Sequence, residues 1–427
     1  MKIINIGILG FGNIGKELFV SLTDKIALIE ETSGYKLNIS KVLVKDINKK
    51  RDIDINKELI TNDPEEIISN KDISIVIELM GGAENAYPFV KKALRSKKSI
   101  ITANKDLIAT YGTELFSLAK ENKVSIFFEA AVASGTPIIS TLMRDLSATN
   151  ISSIRGIING TSNFILSEME EKQSEFKDAL KLAQNLGYAE PDPSNDITGL
   201  DACYKLAILT SLAFNTEITF EDIFVEGIET IEKEDFDYAK ELGYTIKLLG
   251  ITENQDNNLL CRVHPVLLSL KAPLAKILGP NNAIEIKDTM LGELIIQGPG
   301  AGPSPTASAV LNDLVYLLNN LSNLSVTLPK IYNKTKMENI DILNSKFFLR
   351  FEVIDQPGVL AKMSNIFGEE KISIASVIQK ENKSLQNGAE LVFMTHESSQ
   401  SSIDKSLKKL HSLDCVNKVI NVLRVQD

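Results

Sequence analysis

Short apolar runs rich in β-branched residues, each followed by helically spaced apolar positions, recur through the first third of the chain. They are Lys2–Leu9 (KIINIGIL), Leu37–Val44, Ile73–Leu79 (ISIVIEL), Ser99–Thr102 and Val124–Phe128. Nearly continuous apolar strands alternating with helices predict a parallel, doubly wound α/β sheet covered on both faces. After about residue 135 the rhythm changes. Ile151–Ile158 reads as a strand, Asn159–Asn163 as a break and Phe164–Glu171 as a helix. Leu200, Ala202, Leu206, Leu209 and Leu212 then recur at helical spacing. Residues 259–268, 283–286 and 294–297 predict a second sheet, and Ala307–Leu321 a further helix. Asn323–Ser345 is polar, contains Pro329 and reads as a linker. Beyond it, Phe347–Ile354, a helix around Ile366, Ile372–Gln379, Leu391–His396, Ile403–Leu413 and Val416–Val425 spell βαββαβ. The expected organisation is a Rossmann-type nucleotide-binding domain over 1–134, an α+β substrate and dimerisation domain over 135–302, a linker over 323–345 and a small regulatory module over 346–427.

Composition narrows the function classes. With 46 basic and 56 acidic residues the formal net charge is −10, and no basic run interleaved with aromatics occurs, which argues against nucleic acid. No apolar run reaches the ~18 residues that cross a bilayer, and Met1 leads directly into a strand, so a cytoplasmic protein with no membrane partner is expected. Cys203, Cys261 and Cys415 are scattered and flanked by apolar residues, as buried thiols are. His264, His396 and His411 have no ligand-spaced partners, which removes zinc sites and makes a Ser-His-Asp triad improbable. Acid–base chemistry is left to lysines and carboxylates.

Chemistry-bearing motifs follow the elements. Gly10-Phe11-Gly12-Asn13-Ile14-Gly15 stands between the first strand and a helical pattern, the context a dinucleotide site requires. Gly10 permits the tight turn, Gly12 close approach of the backbone to a pyrophosphate, and Gly15 close helix packing. At the end of the second strand, Asp46 suits the ribose hydroxyls of NAD, while Lys45, Lys49, Lys50 and Arg51 suit the 2'-phosphate of NADP. The balance leans to NADP, with NAD kept open. Lys105 follows the fourth strand at the sheet edge where such folds receive ligands, although solvated lysines are common in βα loops. Gly160 and Thr161 can offer an amide and a hydroxyl to a small polar ligand; a hairpin or helix cap explains them equally well.

The most concentrated stretch is Ala183–Leu209, which crowds Glu190, Asp192, Asp196, Asp201 and Lys205 around Gly187 and Gly199. Asp201 and Lys205 fall one helical turn apart, a spacing that alone is usually a solvated pair. Pro191, Pro193 and Gly199 turn the backbone, so the loop can aim carboxylates inward to meet an ammonium group such as that of an amino acid.

The run Ala183, Gly187, Tyr188, Ala189, Asp192-Pro193, Asp196-Ile197, Gly199, Asp201, Lys205, together with Thr102-Ala103-Asn104-Lys105, resembles the signature of homoserine dehydrogenases. Asp355-Gln356-Pro357-Gly358-Val359-Leu360, at the first strand–helix junction of the βαββαβ unit, resembles the ACT domain motif. Together they cover nearly the whole chain, and the monofunctional type, without a preceding kinase segment, is expected.

The resemblance implies NAD(P)H-dependent, reversible reduction of L-aspartate 4-semialdehyde to L-homoserine, a step in threonine, methionine and isoleucine biosynthesis from aspartate. It implies that Lys205 donates the proton to the alkoxide, that Asp201 orients Lys205, and that Lys105 stands beside nicotinamide and substrate. Gly160, Thr161, Tyr188, Glu190, Asp196, Asp201 and Lys205 would contact substrate, Glu190 with Asp196 holding its ammonium group or that group's waters. Gly302, ahead of a helix over 303–322 that returns to the nucleotide-binding domain, would meet the nicotinamide half. Glu129, Val132, Ser134 and Thr136 would hold a monovalent cation, Na+ or K+; the residues alone read as a structural turn. A homodimer or homotetramer and an amino-acid effector at the ACT domain, threonine being expected, complete the picture. Ser134 stands where the family often has glycine, and Lys45 where it often has arginine, which leaves cation and NADP preference open. Two rivals remain: another ACT-bearing dehydrogenase, acting on a hydroxy acid or prephenate, for which a histidine base is expected although none precedes His264, and a silent amino-acid sensor, against which the joint presence of Lys105, Asp201 and Lys205 argues.

Overall fold

The computed structural model describes residues 1–426 except 257, 322–327, 330–334 and 383–387. Its contacts divide the chain into two compact units: Met1–Ile154 with Tyr204–Asp222 and Asn282–Thr335, and Arg155–Cys203 with Ile223–Asn281 and Lys336–Asp427.

The first unit holds a six-stranded sheet. Its strands are β1 (Ile3–Leu9), β2 (Lys36–Leu43), β3 (Ile60–Thr61), β4 (Ile73–Glu78), β5 (Ser99–Thr102) and β6 (Ile126–Phe127). They lie in the order β3-β2-β1-β4-β5-β6, and every pairing is parallel. The order reverses between β1 and β4, which creates the crevice at the carboxyl ends where such sheets take ligands. Ile6, Ile8, Ile75, Ile77 and Ile101 form one core with Leu18 and Leu22 of the helix Asn13–Ser33 and Val310, Leu314 and Leu317 of the helix Pro303–Asn319. Residues nearly 300 positions apart in sequence thereby close the same side of the sheet.

In the second unit the long strands Tyr244–Gln255 and Asn258–Ser269 pair antiparallel along their length. The final strand, Val416–Gln426, runs parallel to the latter through Val266↔Arg424 and antiparallel to Phe347–Ile354. Phe347–Ile354 pairs with Gly388–Thr395, and that strand with Ile374–Asn382. With helices Val359–Glu369 and Gln400–His411 this is the expected βαββαβ unit, cored by Phe347, Phe351, Met363, Phe367 and Phe393. Arg350, almost wholly buried, donates to both Glu390 oxygens and to Glu232 and Asp235, joining this sheet to the helix Lys233–Glu241. Burial pushes the Asp235 carboxyl up to about 6 against the opposing pull of Arg350.

Much of the segment read as a linker, 322–327 and 330–334, lies outside the described residues. Of the rest, Met337 bridges to Leu259, and Asn344–Ser345 pairs with Ser398–Ser399.

Candidate functional site

The glycine turn takes the form its spacing predicts. Gly10 has φ +100°, where a side chain is strained, and a Cβ there would come within 2.6 Å of the Leu79 carbonyl oxygen. A Cβ on Gly15 would lie 2.6 Å from the Gly10 carbonyl oxygen, so the helix Asn13–Ser33 packs directly on the turn. Gly12 caps that helix, and the position its Cβ would take has nothing within 4 Å. An open glycine at the N-terminus of a 21-residue helix fits a pyrophosphate. Phe11 and Ile14 are half-buried, whereas Asn13 and Lys45 are exposed. Arg51 donates to the Asp46 and Lys49 carbonyls, folding the basic loop after β2 back on itself.

Lys105 is the first residue of the helix Lys105–Asn122, capped by Asn104, whose Oδ1 accepts from the Leu107 amide at 3.1 Å. The ammonium lies 3.7 Å from Asp106. Lys205 is half-buried on the helix Leu200–Phe214, whose first turn carries Asp201. One continuous helix therefore holds both residues, as their spacing predicts.

The loop after β6 buries several polar side chains, Glu129, Ser134 and Thr136 among them. Both Glu129 carboxylate oxygens accept backbone amides, from Ile139 at 2.8 Å and Ser140 at 2.7 Å. Burial raises the Glu129 pKa against these bonds. Asp313, on the helix Pro303–Asn319, accepts the Glu129 amide, and burial followed by the neighbouring Glu129 charge keeps its pKa well above the carboxylate range. Thr136 Oγ1 is buried without a hydrogen-bond partner among the described residues. Such an oxygen, in the same loop as the buried Glu129 carboxylate, is the kind of oxygen donor that a hard monovalent cation takes. Ser134 has φ +25° and Ala133 φ +52°. That backbone explains why glycine suits position 134; here the serine hydroxyl accepts from Thr306 at 3.2 Å. Gly302 opens the Thr306 helix, is exposed, and has φ +109°.

In the second unit Asn159 organises the substrate candidates. Its Oδ1 accepts the Ser162 amide at 2.7 Å, and its Nδ2 donates to Asp196 at 2.7 Å and to Asp201 at 2.8 Å. One amide thus caps a helix and clamps two carboxylates, which fixes its orientation. The helix begins at Gly160, four residues before its apolar pattern predicts, because this cap satisfies its first turn. The Thr161 hydroxyl is committed to the Tyr188 carbonyl at 2.6 Å, and the Tyr188 ring packs on Phe164. Asp201 is buried and Asp196 half-buried, but Glu190 is exposed, as is Asp192, which caps Ser194. Of the carboxylates in this loop, Asn159 therefore gathers Asp196 and Asp201, while Glu190 and Asp192 lie at the surface. Gly199 has φ +85° and its absent side chain lets Val225 and Val263 close on the loop.

Asn159 and Asp313 contact the candidate residues but were not singled out in the sequence. Asn159 carried a detectable signal, a good N-cap residue ahead of a helix; Asp313 did not.

Three family models match the chain. Residues 10–129 match the family model "Homoserine dehydrogenase, NAD binding domain", 137–315 the model "Homoserine dehydrogenase", and 347–415 the ACT domain. A homoserine dehydrogenase of Bacillus subtilis is 40% identical over 430 residues, covering 100% of this chain and 99% of its own. The crystal structure of a homoserine dehydrogenase from Thiobacillus denitrificans superposes with a TM-score of 0.92 at 37% identity, covering 100% of this chain and 99% of that one. A hyperthermophilic archaeal homoserine dehydrogenase in complex with NADPH has a TM-score of 0.63 at 30% identity, covering 76% of this chain and 99% of its own.

Proposed function

The chain belongs to the homoserine dehydrogenase family, and from that premise we propose how its residues divide the work. The reaction is the reversible reduction of L-aspartate 4-semialdehyde to L-homoserine by a nicotinamide cofactor, which supplies the hydride. The protein must orient the reactants and manage the charge on the aldehyde oxygen as it becomes an alkoxide.

Lys205 protonates that oxygen, and Asp201, one turn earlier on the same helix, orients Lys205. Lys105 supports the developing charge beside the nicotinamide. Asp196 and Asp201 receive the substrate ammonium, with Gly160 and Thr161 offering the first amides of their helix. Tyr188 and Glu190 line the approach from the surface. Gly10, Phe11, Gly12, Asn13, Ile14 and Gly15 cradle the pyrophosphate, Lys45 favours the 2'-phosphate of NADP, and Gly302 borders the nicotinamide half. Glu129, Val132, Ser134 and Thr136 hold Na+ or K+. The observation that carries this reading is the Asn159 clamp, which holds the half-buried Asp196 and the buried Asp201 on one amide, a setting suited to a cation-bearing substrate.

In domain terms, we read residues 1–134 with the helix from 303 as the nucleotide-binding domain, 135–302 as the substrate and dimerisation domain, and 346–427 as the ACT regulatory domain. The ACT domain takes an amino-acid effector, threonine on this reading, and the enzyme works as a homodimer or homotetramer in the cytoplasm. No helix among the described residues is long and apolar enough to cross a membrane. Homoserine-dependent reduction of NADP+ and NAD+, each assayed with and without Na+ or K+, tests the assignment. A kcat/KM favouring NADP+ and a cation requirement support it; preference for NAD+ or indifference to cations removes the corresponding part.

A further inference from the structure

Glu78 ends β4, is fully buried, and has no part in the chemistry described above. Its Oε1 accepts the Met80 amide at 2.6 Å, and its Oε2 accepts the Thr102 hydroxyl at 2.6 Å, directly across the β4–β5 register. The Gly81 amide and the Asn104 side chain also face it as donors. Asn104 donates in addition to the Gly82 carbonyl at 3.0 Å, and its own amide donates to the Thr102 hydroxyl at 3.0 Å. Its Oδ1 caps the helix that Lys105 begins.

One carboxylate therefore fixes two turns at the ligand-receiving edge of the sheet. The first is Met80-Gly81-Gly82, ahead of the helix Ala83–Arg95; the second is Thr102-Ala103-Asn104, ahead of Lys105. Every group directed at Glu78 donates to it, so an amide in its place would offer one acceptor oxygen where the carboxylate offers two, and could face Thr102 with its NH2 only if that hydroxyl turned from donor to acceptor. Burial raises its pKa, while the Thr102 hydroxyl and the surrounding amides oppose the shift. Burying an ionisable group is costly, and packing alone does not require one.

We propose that Glu78 is a positioning residue for Lys105, acting through Thr102 and Asn104 to hold the first turn of the helix on which that lysine stands. The inference rests on the reading that Lys105 works beside the nicotinamide. Displacing a reacting group by an ångström can cost about 100-fold in rate, so a carboxylate that locks two turns bears on turnover.

The test is a cycle in the full chain of Glu78→Gln, Lys105→Ala and the double variant, with kcat, KM for homoserine and Kd for NADPH measured for each. Glu78→Gln is expected to lower kcat about 10- to 100-fold while Kd for NADPH stays within about threefold of wild type. The double variant should then be no slower than Lys105→Ala within about threefold, because the glutamate acts through the lysine. Multiplying losses, or an unchanged kcat in Glu78→Gln, overturns the proposal. Wild-type turnover in Lys105→Ala instead overturns the reading beneath it, and the proposal with it. Should Glu78→Gln fail to fold, Thr102→Val and Thr102→Ser carry the same test. The valine should reproduce the loss and the serine, keeping the hydroxyl, should recover the rate; equal behaviour of the two contradicts the relay.

Discussion

Replacing Asn159 by serine separates the two tasks of that side chain. Serine is as good an N-cap as asparagine, so the bond to the Ser162 amide is kept and the helix Gly160–Lys172 should hold its start. What is lost is the amide that reaches Asp196 at 2.7 Å and Asp201 at 2.8 Å. Hydrogen bonds to charged groups contribute about 1.5–3 kcal/mol each, and two sharing one donor group add incompletely, so about 2–4 kcal/mol is at stake. Without the bridge, two carboxylates held side by side repel. If they bind the substrate ammonium, that energy appears in substrate recognition, and kcat/KM for homoserine should fall roughly 30- to 1,000-fold. Kd for NADPH should not move, since the glycine turn is untouched. The assay is steady-state homoserine oxidation at saturating cofactor, with thermal unfolding as the control for fold. A folded Asn159→Ser enzyme whose KM and kcat for homoserine both lie within twofold of wild type would refute the clamp as a substrate device.

Gly10→Ala meets both a φ of +100° and the Leu79 carbonyl oxygen at 2.6 Å; isothermal titration should find NADPH binding weakened by at least about tenfold, corresponding to about 1.4 kcal/mol. Thr136→Val removes the buried hydroxyl oxygen that lacks a partner among the described residues; a titration of activity with Na+ or K+ should need several-fold more cation for half-maximal rate, and an unchanged curve would take Thr136 out of the cation set. His264 is buried beside Arg424 and Arg262, and desolvation, then those charges, holds its pKa well below 6.5, so the folded state keeps it neutral. Below pH 6.5 the unfolded chain takes up this proton and the native one does not, so the stability His264 confers above that pH is lost as pH falls, by up to about 1.4 kcal/mol per pH unit until the folded pKa is reached. Urea midpoints at pH 7.5 and 5.5, compared between wild type and His264→Asn, read that component: the asparagine variant should lose less on acidification, and equal losses would contradict it.

Much of this architecture is visible in sequence because period and spacing encode local structure. Five of the six strands of the first sheet are short runs rich in apolar residues, and the GFGNIG turn sits where a glycine with φ +100° is required. The Asp201–Lys205 spacing places both on one helix, and βαββαβ follows from alternation alone. Other features depend on contacts that spacing cannot express. The strand Tyr244–Gln255 is buried on both faces, so its residues do not alternate, and it contains Lys247, whose ammonium is buried against the Ile277 carbonyl. The start of the helix at Gly160 uses residues of poor helix propensity, and the cap that rescues them is itself tied to Asp196 and Asp201, some 40 positions on. Glu78 meets Thr102 only through strand register, and Glu129 meets Asp313 across 184 positions. A cluster of carboxylates such as Glu190, Asp192, Asp196 and Asp201 likewise does not reveal which members turn inward; the fold exposes the first two and buries Asp201.

The central claim is that Lys205 supplies the proton to the alkoxide. It is tested most directly by kcat for homoserine oxidation in Lys205→Ala, with NADPH binding measured on the same preparation. The expected result is a fall in kcat of about 100-fold or more, within the range of general acid–base contributions, with Kd for NADPH within about twofold of wild type. Turnover at the wild-type rate in a folded, cofactor-binding Lys205→Ala enzyme would contradict the assignment.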